Sequence, residues 1–240
     1  LLLASMNIKV AKHGNKAVSS KCGSGDVLEA LNININLEPK EIEDQIIKNN
    51  FGFMFAPNHH SAMKYVGPVR QKLAVKTIFN LLGPLSNPAN VKKQLLGVYD
   101  KKWVMPIAET LKNLGSTRAL IVNGSDGLDE ITTTGISYVS ELKDNKVKTY
   151  EINPRDYGMA LSDPLSLVGG SPKQNAEKII KLLDGEKEAY RDIVILNSSA
   201  ALYIDGKVSN IKDGIDLSKH SIDSGMAKSA LNKLVKVSNS

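Results

Sequence analysis

Short apolar runs and amphipathic stretches follow one another along the chain and predict strands and helices in turn. Four runs have the length of buried strands, at 8–11, 51–56, 94–99 and 118–122. Two more, 136–142 and 147–152, flank Asp144 and Asn145 and predict a hairpin. Apolar residues spaced three and four apart predict helices between the strands, such as one that begins around Glu38-Pro39-Lys40 and ends near Asn49 and Asn50. This order predicts an α/β fold, with a mostly parallel central sheet flanked by helices.

Further helices are predicted where apolar spacing meets start and stop signals. Leu1–Met6 has the pattern of the end of a buried helix, and Val27–Leu31 follows a glycine-rich stretch. Trp103–Leu114 is amphipathic, and so is Lys72–Leu82, which we expect Gly83 and Pro84 to end. Residues from Gly169 onwards are predicted to be largely helical.

Composition narrows the class of protein. The 240 residues are 42% hydrophobic and 23% charged, with a net charge of +6, which is ordinary for a globular protein. The basic residues are almost all lysine and aromatics are only 5%, whereas nucleic-acid surfaces favour arginine and aromatics, so we expect no nucleic-acid partner. No apolar run approaches the ~20 residues of a membrane span. The single cysteine, Cys22, excludes an internal disulfide and fits the cytoplasm.

The most informative stretch is a basic segment rich in serine and glycine. Residues 12–26 read Lys-His-Gly-Asn-Lys-Ala-Val-Ser-Ser-Lys-Cys-Gly-Ser-Gly-Asp, between a predicted strand and a predicted helix. Open α/β sheets bind phosphate groups at such positions, because glycines let backbone N–H groups approach the ligand. The segment matches neither a P-loop nor a dinucleotide-binding fingerprint. It predicts a phosphate site, with a polar surface loop as the alternative.

A second candidate site is acidic. Asp129 and Glu130 lie in a glycine-containing turn after the predicted strand 118–122. Two adjacent carboxylates suit Mg²⁺, which keeps several waters and binds few protein ligands; a solvated turn is the alternative. The preceding strand leads us to expect this turn at the same sheet edge as the Lys12 segment.

A third group combines His59, His60 and Arg70. The guanidinium of Arg70 can pair with a carboxylate, and histidine can donate to one or flank an aromatic ring, although structural roles are equally consistent. No histidine–cysteine cluster has zinc spacing, and Cys22 has no base at recognisable spacing. We therefore predict neither a zinc site nor a catalytic acid, base or nucleophile.

Short motifs follow one another in order along essentially the whole chain, at 12–15, 18–21, 23–26, 55–57, 67–70, 79–88, 95–99, 127–130 and 169–172. Their joint pattern resembles the anthranilate phosphoribosyltransferase family. The resemblance implies a helical domain beside an α/β domain, with the active site in the hinge cleft. It assigns 1–60 and 88–240 to the α/β domain and 61–87 to the hinge and helical domain. It also implies a cytoplasmic homodimer.

The resemblance implies transfer of the phosphoribosyl group of 5-phosphoribosyl 1-diphosphate to the amine of anthranilate, the second step of tryptophan biosynthesis. Mg²⁺ would be the cofactor, bound by Asp129 and Glu130. The residues implied to hold phosphoribosyl diphosphate are Lys12, His13, Gly14, Asn15, Lys16, Ala17, Val18, Ser19, Ser20 and Ser24. Those implied to contact anthranilate are Asn15, His60, Arg70, Gly83 and Pro84.

One feature limits the match, and two alternatives to it remain. The family's Gly-Thr-Gly-Gly-Asp loop would precede Leu1, so we expect this chain to be a C-terminal piece that is inactive by itself. Pyrimidine nucleoside phosphorylases share the architecture and a similar Lys-His-Gly segment, but phosphorolysis needs neither Arg70 nor the Asp129–Glu130 pair. A noncatalytic nucleic-acid-binding relative is the other alternative, and retention of the same three residues disfavours it.

Overall fold

The computed structural model describes residues 1–17, 21–60, 65, 72 and 77–240. Within it the chain divides into two compact units. The first unit comprises Leu1–Asn90, Gly169–Gly185 and Ile222–Ser240, and the second comprises Val91–Val168 and Glu186–Ser221.

The secondary structure alternates as the sequence predicts. The strands are β1 (Val10–Gly14), β2 (Phe51–Phe55), β3 (Lys93–Gly97), β4 (Arg118–Gly124), β5 (Ser137–Lys143) and β6 (Lys146–Ile152). The described helices are α1 (Leu2–Ser5), α2 (Ser24–Ala30), α3 (Pro39–Asn49), α4 (Ala56–His59), α5 (Phe79–Leu85), α6 (Val104–Asn113), α7 (Pro172–Leu183), α8 (Ala189–Asp205), α9 (Ile211–Asp223) and α10 (Met226–Ser238). Short 3₁₀ helices cover Lys101–Trp103, Pro154–Tyr157 and Pro164–Leu167.

In the first unit, β1 and β2 pair in parallel and helices surround them. Helix α3 packs on β2, α10 packs on α1 and α3, and α2 packs on α7. Helix α3 begins and ends where the sequence predicts. Pro39 occupies its first turn behind a Glu38–Glu41 capping box, and Asn50 ends it in the left-handed conformation, with φ of 61°. The chain then enters β2 directly.

Strand β1 lies further along the chain than the predicted run 8–11. Asn7 has a left-handed backbone, with φ of 62°, which breaks the extended chain before the strand. The parallel register then runs from Val10 opposite Phe51 to Gly14 opposite Phe55. Pairing with β2 therefore places Lys12, His13 and Gly14 in the strand rather than in a loop.

Helix α5 continues past the residues expected to end it. Pro84 lies inside its last turn, and the helix ends at Leu85. The Ser86 hydroxyl donates to the carbonyl oxygens of Leu82 and Gly83, at 2.9 and 3.1 Å, so these two carbonyls have a donor at the end of the helix. Residues 73–76 of the predicted helix Lys72–Leu82 lie outside the described residues.

The second unit contains a four-stranded sheet in the order β3-β4-β5-β6. Strands β3 and β4 are parallel, but β4, β5 and β6 are antiparallel, so the expectation of a mostly parallel sheet holds only in part. The predicted hairpin explains this. Asp144 and Asn145 both have positive φ, at 50° and 58°, as two-residue hairpin turns require.

Helices bury both faces of β4. Helix α6 packs on β4 and β5, and α8 packs on β3 and β4. Leu120, Ile121 and Val122 are consecutive and all fully buried, and consecutive strand residues point to opposite faces. The α/β prediction is confirmed. None of the helices in the described ranges combines the length and apolar character that crossing a membrane requires.

Candidate active site

The Lys12 segment leaves β1 and folds back on the start of α2. Asp26 holds this arrangement: one carboxylate oxygen accepts from the backbone N–H groups of Ala17 and Gly23, both at 2.8 Å. The hydrogen bond from Ala17 has the largest effect on the pKa of the Asp26 carboxyl group. With the bond from Gly23 it outweighs burial and lowers the pKa of Asp26. Asp26 therefore joins the backbone of Ala17 to that of Gly23.

Glycine is required at position 23 by a close backbone approach. A Cβ atom there would lie 2.6 Å from the amide nitrogen of Ala17 and 2.8 Å from the carbonyl oxygen of Asn15. A side chain at position 23 would collide with the backbone of residues 15–17 and push it away from Gly23. The sequence indicates a glycine-rich loop, and the structure shows which contact needs the glycine.

The segment presents polar side chains of several kinds. Lys12 and Asn15 are exposed. Lys16 forms an ion pair with Glu29 at 2.8 Å and lies 5.8 Å from the centre of the Phe55 ring. Ser24 opens α2 rather than lying in the loop, and a Cβ on Gly14 would lie 2.5 Å from its hydroxyl oxygen. Val18, Ser19 and Ser20 lie outside the described residues.

Residues that the resemblance assigns to phosphoribosyl diphosphate and residues that it assigns to anthranilate meet at His13. Its Nε2 atom is 3.1 Å from that of His60, and it hydrogen-bonds to the backbone of Gly83. Burial and then the charge of His60 lower the pKa of His13, against the effect of the Gly83 bond. The structure thus brings together His13, His60 and Gly83, with Pro84 next in α5. Arg70 lies outside the described residues.

The acidic turn follows β4 in the second unit. Asp129 and Glu130 are both exposed. Burial first, and then the Glu130 carboxylate, raise the pKa of Tyr190, so Glu130 lies near the start of α8. A Cβ on Gly97, the last residue of β3, would lie only 1.5 Å from the backbone oxygen of Asp129. The turn therefore rests directly on the end of β3.

The rest of the turn is held by hydrogen bonds. The Asp126 carboxylate accepts from the hydroxyl groups of Thr132 and Thr134, both at 2.6 Å, and from the N–H of Leu128 at 3.1 Å. Burial is the largest single effect and by itself raises the pKa of Asp126, but the hydrogen bonds from Thr132, Thr134 and the backbone together lower it. The buried Asn123 side chain donates to the Val98 carbonyl oxygen at 2.8 Å.

The sequence analysis did not identify Asn197, which lies in the middle of α8. Its side-chain oxygen accepts from the N–H of Ile131 at 2.9 Å, and its side-chain nitrogen donates to the Ile131 carbonyl oxygen at 2.8 Å. One asparagine in an amphipathic helix gives no sequence signal for such a contact.

One geometric expectation is wrong. Among the described strands, β1 belongs to the two-stranded sheet and β4 to the four-stranded sheet. The Lys12 segment and the Asp129–Glu130 turn therefore do not share a sheet edge, and they lie in different units. The error arose because strand order along the chain does not determine which strands pair.

Comparison with known proteins adds to this geometry. The family described as "Glycosyl transferase family, a/b domain" matches residues 1–228. An anthranilate phosphoribosyltransferase of Parvibaculum lavamentivorans is 53% identical over 239 residues, covering 100% of this chain and 70% of that protein.

Two solved structures are also similar. The anthranilate phosphoribosyltransferase of Thermus thermophilus superposes with a TM-score of 0.93 at 39% identity, covering 100% of this chain and 71% of that one. The Saccharomyces cerevisiae anthranilate phosphoribosyltransferase in complex with PRPP and Mg gives a TM-score of 0.89 at 28% identity, with coverage of 99% and 68%.

Proposed function

Because this chain belongs to the anthranilate phosphoribosyltransferases, within the a/b-domain glycosyl transferase family, we propose that it transfers the phosphoribosyl group of 5-phosphoribosyl 1-diphosphate to the amine of anthranilate. The products are N-(5-phosphoribosyl)anthranilate and diphosphate. The observation that carries this proposal is the 53% identity with a protein of that name over the full length of this chain.

The Lys12 segment is proposed to hold the phosphate groups of the substrate. Its ligands would be Lys12, Lys16, Ser24 and the stretch 13–20. Lys12 is exposed, and Asp26 holds the backbone at Ala17 and Gly23 in place. Both observations support this role, because phosphate oxygens accept hydrogen bonds from lysine ammonium groups and from backbone N–H groups.

The aromatic substrate is proposed to contact Asn15, His60, Arg70, Gly83 and Pro84. The contact of His13 with both His60 and Gly83 supports grouping His60 and Gly83 beside the phosphate-binding segment. Arg70 is assigned from the resemblance, as the partner of the substrate carboxylate.

Asp129 and Glu130 are proposed to hold Mg²⁺. The residues present fit this ion: both carboxylates are exposed on a turn anchored to β3. The described residues contain no cluster of three or more histidine, cysteine, aspartate or glutamate side chains suited to a metal. Mg²⁺ tolerates such a sparse set, because it uses one or two carboxylates together with waters and substrate phosphates. When bound, the ion supplies neutralising charge for the departing diphosphate.

The chain's own residues then bind and orient rather than exchange protons. Anthranilate is an aromatic amine and is neutral near pH 7, so its attack on the ribose carbon needs no strong base. Charge develops on the diphosphate as it leaves, and the cationic groups of Lys12 and Lys16 lie on the segment proposed to bind it. Positioning of the amine and stabilisation of this charge supply the acceleration.

The remaining assignments follow the resemblance and are proposals too. Residues 1–60 and 88–240 would form the phosphoribosyl diphosphate domain, and residues 61–87 the hinge and part of a helical domain. A homodimeric state and a cytoplasmic location are proposed on the same basis.

The test follows binding and turnover separately. Calorimetry measures binding of phosphoribosyl diphosphate with Mg²⁺, and the loss of anthranilate fluorescence measures turnover, with the Parvibaculum relative as the active reference. We expect Mg²⁺-dependent binding. If this chain turns anthranilate over, Asp129→Asn with Glu130→Gln lowers the rate by about 10²–10³-fold, the usual loss when transition-state charge is left unstabilised. If it is inactive by itself, the same two substitutions remove the Mg²⁺ dependence of binding. Glu151→Gln, which changes an exposed carboxylate on β6, is the control.

The outcome that contradicts the proposal is specific. If phosphoribosyl diphosphate fails to bind while thymidine and phosphate react, the chain is a nucleoside phosphorylase. If a nucleic acid binds, with affinity falling steeply as salt rises, the noncatalytic alternative replaces both.

A further inference from the structure

Asn197 makes an unusual contact for a residue in the middle of a helix. Its side-chain amide pairs with both backbone groups of Ile131, as a neighbouring strand would, at 2.9 and 2.8 Å. Its second N–H donates to the Ile193 carbonyl oxygen one turn earlier in α8, at 2.9 Å. Every polar group of the amide is therefore used, and its orientation is fixed.

The residue that it holds directly follows the acidic pair. Ile131 is fully buried, so its N–H and carbonyl groups need partners inside the protein. Asn197 supplies partners for both. On the other side of the pair, the backbone of Asp129 rests on Gly97, where no Cβ would fit.

Asp129 and Glu130 thus stand between two backbone anchors, Gly97 on β3 and Asn197 on α8. We propose that Asn197 is a positioning residue for the metal-binding carboxylates: it fixes the backbone that carries Glu130 and so sets the direction of both side chains. This inference rests on the proposed role of the two carboxylates in binding Mg²⁺. Loss of a residue that orients metal ligands typically lowers metal affinity by about 10–100-fold.

The chain offers a matched control in Asn175, on α7. Its side-chain oxygen accepts from the N–H of Gly170 at 2.8 Å, and its side-chain nitrogen donates to the Gly170 carbonyl oxygen at 3.2 Å. The chemistry is the same as at Asn197, but it holds a segment that carries neither carboxylate. Both variants should lose some stability, and only Asn197→Ala should lose metal affinity.

The experiment is a titration of the protein with Mn²⁺, with free Mn²⁺ followed by its electron paramagnetic resonance signal. We expect Asn197→Ala to raise the dissociation constant about 10–100-fold, the range for losing a group that orients a metal ligand. Asn175→Ala should stay within about twofold of the unaltered chain. Circular dichroism melting verifies that both variants fold at the titration temperature.

Asn197→Asp gives a second measurement if Asn197→Ala does not fold. It keeps the oxygen that accepts from Ile131 but places a carboxylate oxygen against the Ile131 carbonyl oxygen. We expect it to lower Mn²⁺ affinity although it adds a negative charge, and tighter binding would overturn the proposal.

Two further outcomes separate the inference from the proposed function. If Asn197→Ala binds Mn²⁺ as tightly as Asn175→Ala, Asn197 has only a structural role and the inference is wrong. If the unaltered chain binds no more Mn²⁺ than Asp129→Asn with Glu130→Gln, the proposed metal role fails, and the inference that rests on it fails with it.

Discussion

His13 and His60 meet edge to face, with their Nε2 atoms 3.1 Å apart and their ring planes at 66°. Two nitrogens at this distance share one proton, so one ring donates and the other accepts. The pair therefore cannot be doubly protonated without losing this hydrogen bond. Burial and the charge of His60 accordingly lower the pKa of His13, and burial followed by the His60 charge lowers that of His59.

This relationship predicts how stability changes with pH. The pKa of His13 is below its ordinary value of 6.5 in the folded chain, so the unfolded chain takes up the proton first as pH falls. The stabilisation is complete above pH 6.5 and is lost as pH falls towards the lowered pKa. We expect the urea midpoint to fall between pH 7 and pH 5. His13→Gln should show a shallower fall, with His59 still contributing.

If the urea midpoint of His13→Gln falls as steeply with pH as that of the unaltered chain, this interpretation of the His13–His60 pair is wrong. The lowered pKa values of Asp26 and Asp126 do not interfere, because those groups titrate below 3.8, the ordinary value for aspartate.

A second prediction concerns Gly97. An added Cβ would overlap the Asp129 backbone oxygen, and backbone cannot rotate away as a flexible side chain does. We expect Gly97→Ala to lower the free energy of unfolding by about 1–3 kcal/mol, the usual cost of overpacking, and to weaken Mn²⁺ binding as the turn shifts. Urea denaturation and Mn²⁺ titration measure the two effects.

Gly169→Ala is the control for that substitution. A Cβ at Gly169 would make ordinary contacts with Asn175, at 3.6 and 3.7 Å. Its unfolding free energy and Mn²⁺ affinity should stay near those of the unaltered chain. If the two variants behave alike, the turn is not set by its contact with β3.

Local signals account for what the sequence predicted well. The Glu38–Glu41 box and Asn50 define helix α3, and Asp144-Asn145 defines the hairpin, because each depends on neighbouring residues alone. The acidic turn was also located, since it follows a strand buried on both faces. Its metal role is carried by the family resemblance and the turn's exposure, and the Mn²⁺ titration tests it.

Pairing between distant segments accounts for what was wrong or missed. The limits of β1 depend on its register with β2, about forty residues away. The grouping of strands into two sheets depends on tertiary packing that no local pattern encodes. Asn197 and Ile131 are 66 positions apart, and their contact joins a helix side chain to a loop backbone.

A third prediction concerns Asp26, which accepts hydrogen bonds from the backbone N–H groups of Ala17 and Gly23. Removing its charge weakens two hydrogen bonds to backbone N–H groups, and such bonds are about twice as strong when the acceptor is charged. We expect Asp26→Asn to lower the free energy of unfolding by about 1–2 kcal/mol at pH 7, as for a lost helix cap. The difference should vanish as pH falls through the lowered pKa of Asp26, because the carboxylate is then protonated in both states.

Asp44→Asn is its control. Asp44 forms an exposed ion pair with Lys48 within α3 at 3.2 Å, and such pairs contribute about 0.3–0.5 kcal/mol. Urea denaturation of the two variants at pH 7 separates the cases. Equal losses would mean that Asp26 is an ordinary surface carboxylate.

The last prediction concerns Glu29, which pairs with Lys16 at 2.8 Å while both side chains remain about two-fifths exposed, at 39% and 41%. Solvent screening makes this pair worth little to the fold, so Glu29→Gln should change the free energy of unfolding by less than about 0.5 kcal/mol. Loss of the Glu29 carboxylate should nevertheless leave the Lys16 ammonium group available to bind phosphate. We expect phosphoribosyl diphosphate to bind up to about twofold more tightly in calorimetry at low salt, which corresponds to the same ~0.5 kcal/mol of an exposed pair.

Glu43→Gln provides the comparison, since Glu43 forms a similar exposed pair with Lys40 on α3, at 3.0 Å. It removes the same negative charge but leaves the Lys12 segment untouched, so its effect on binding should be negligible. The gain from Glu29→Gln should also shrink towards 1 M salt, where the screening length is only about 3 Å. If both variants tighten binding equally, net charge rather than Lys16 attracts the phosphate groups.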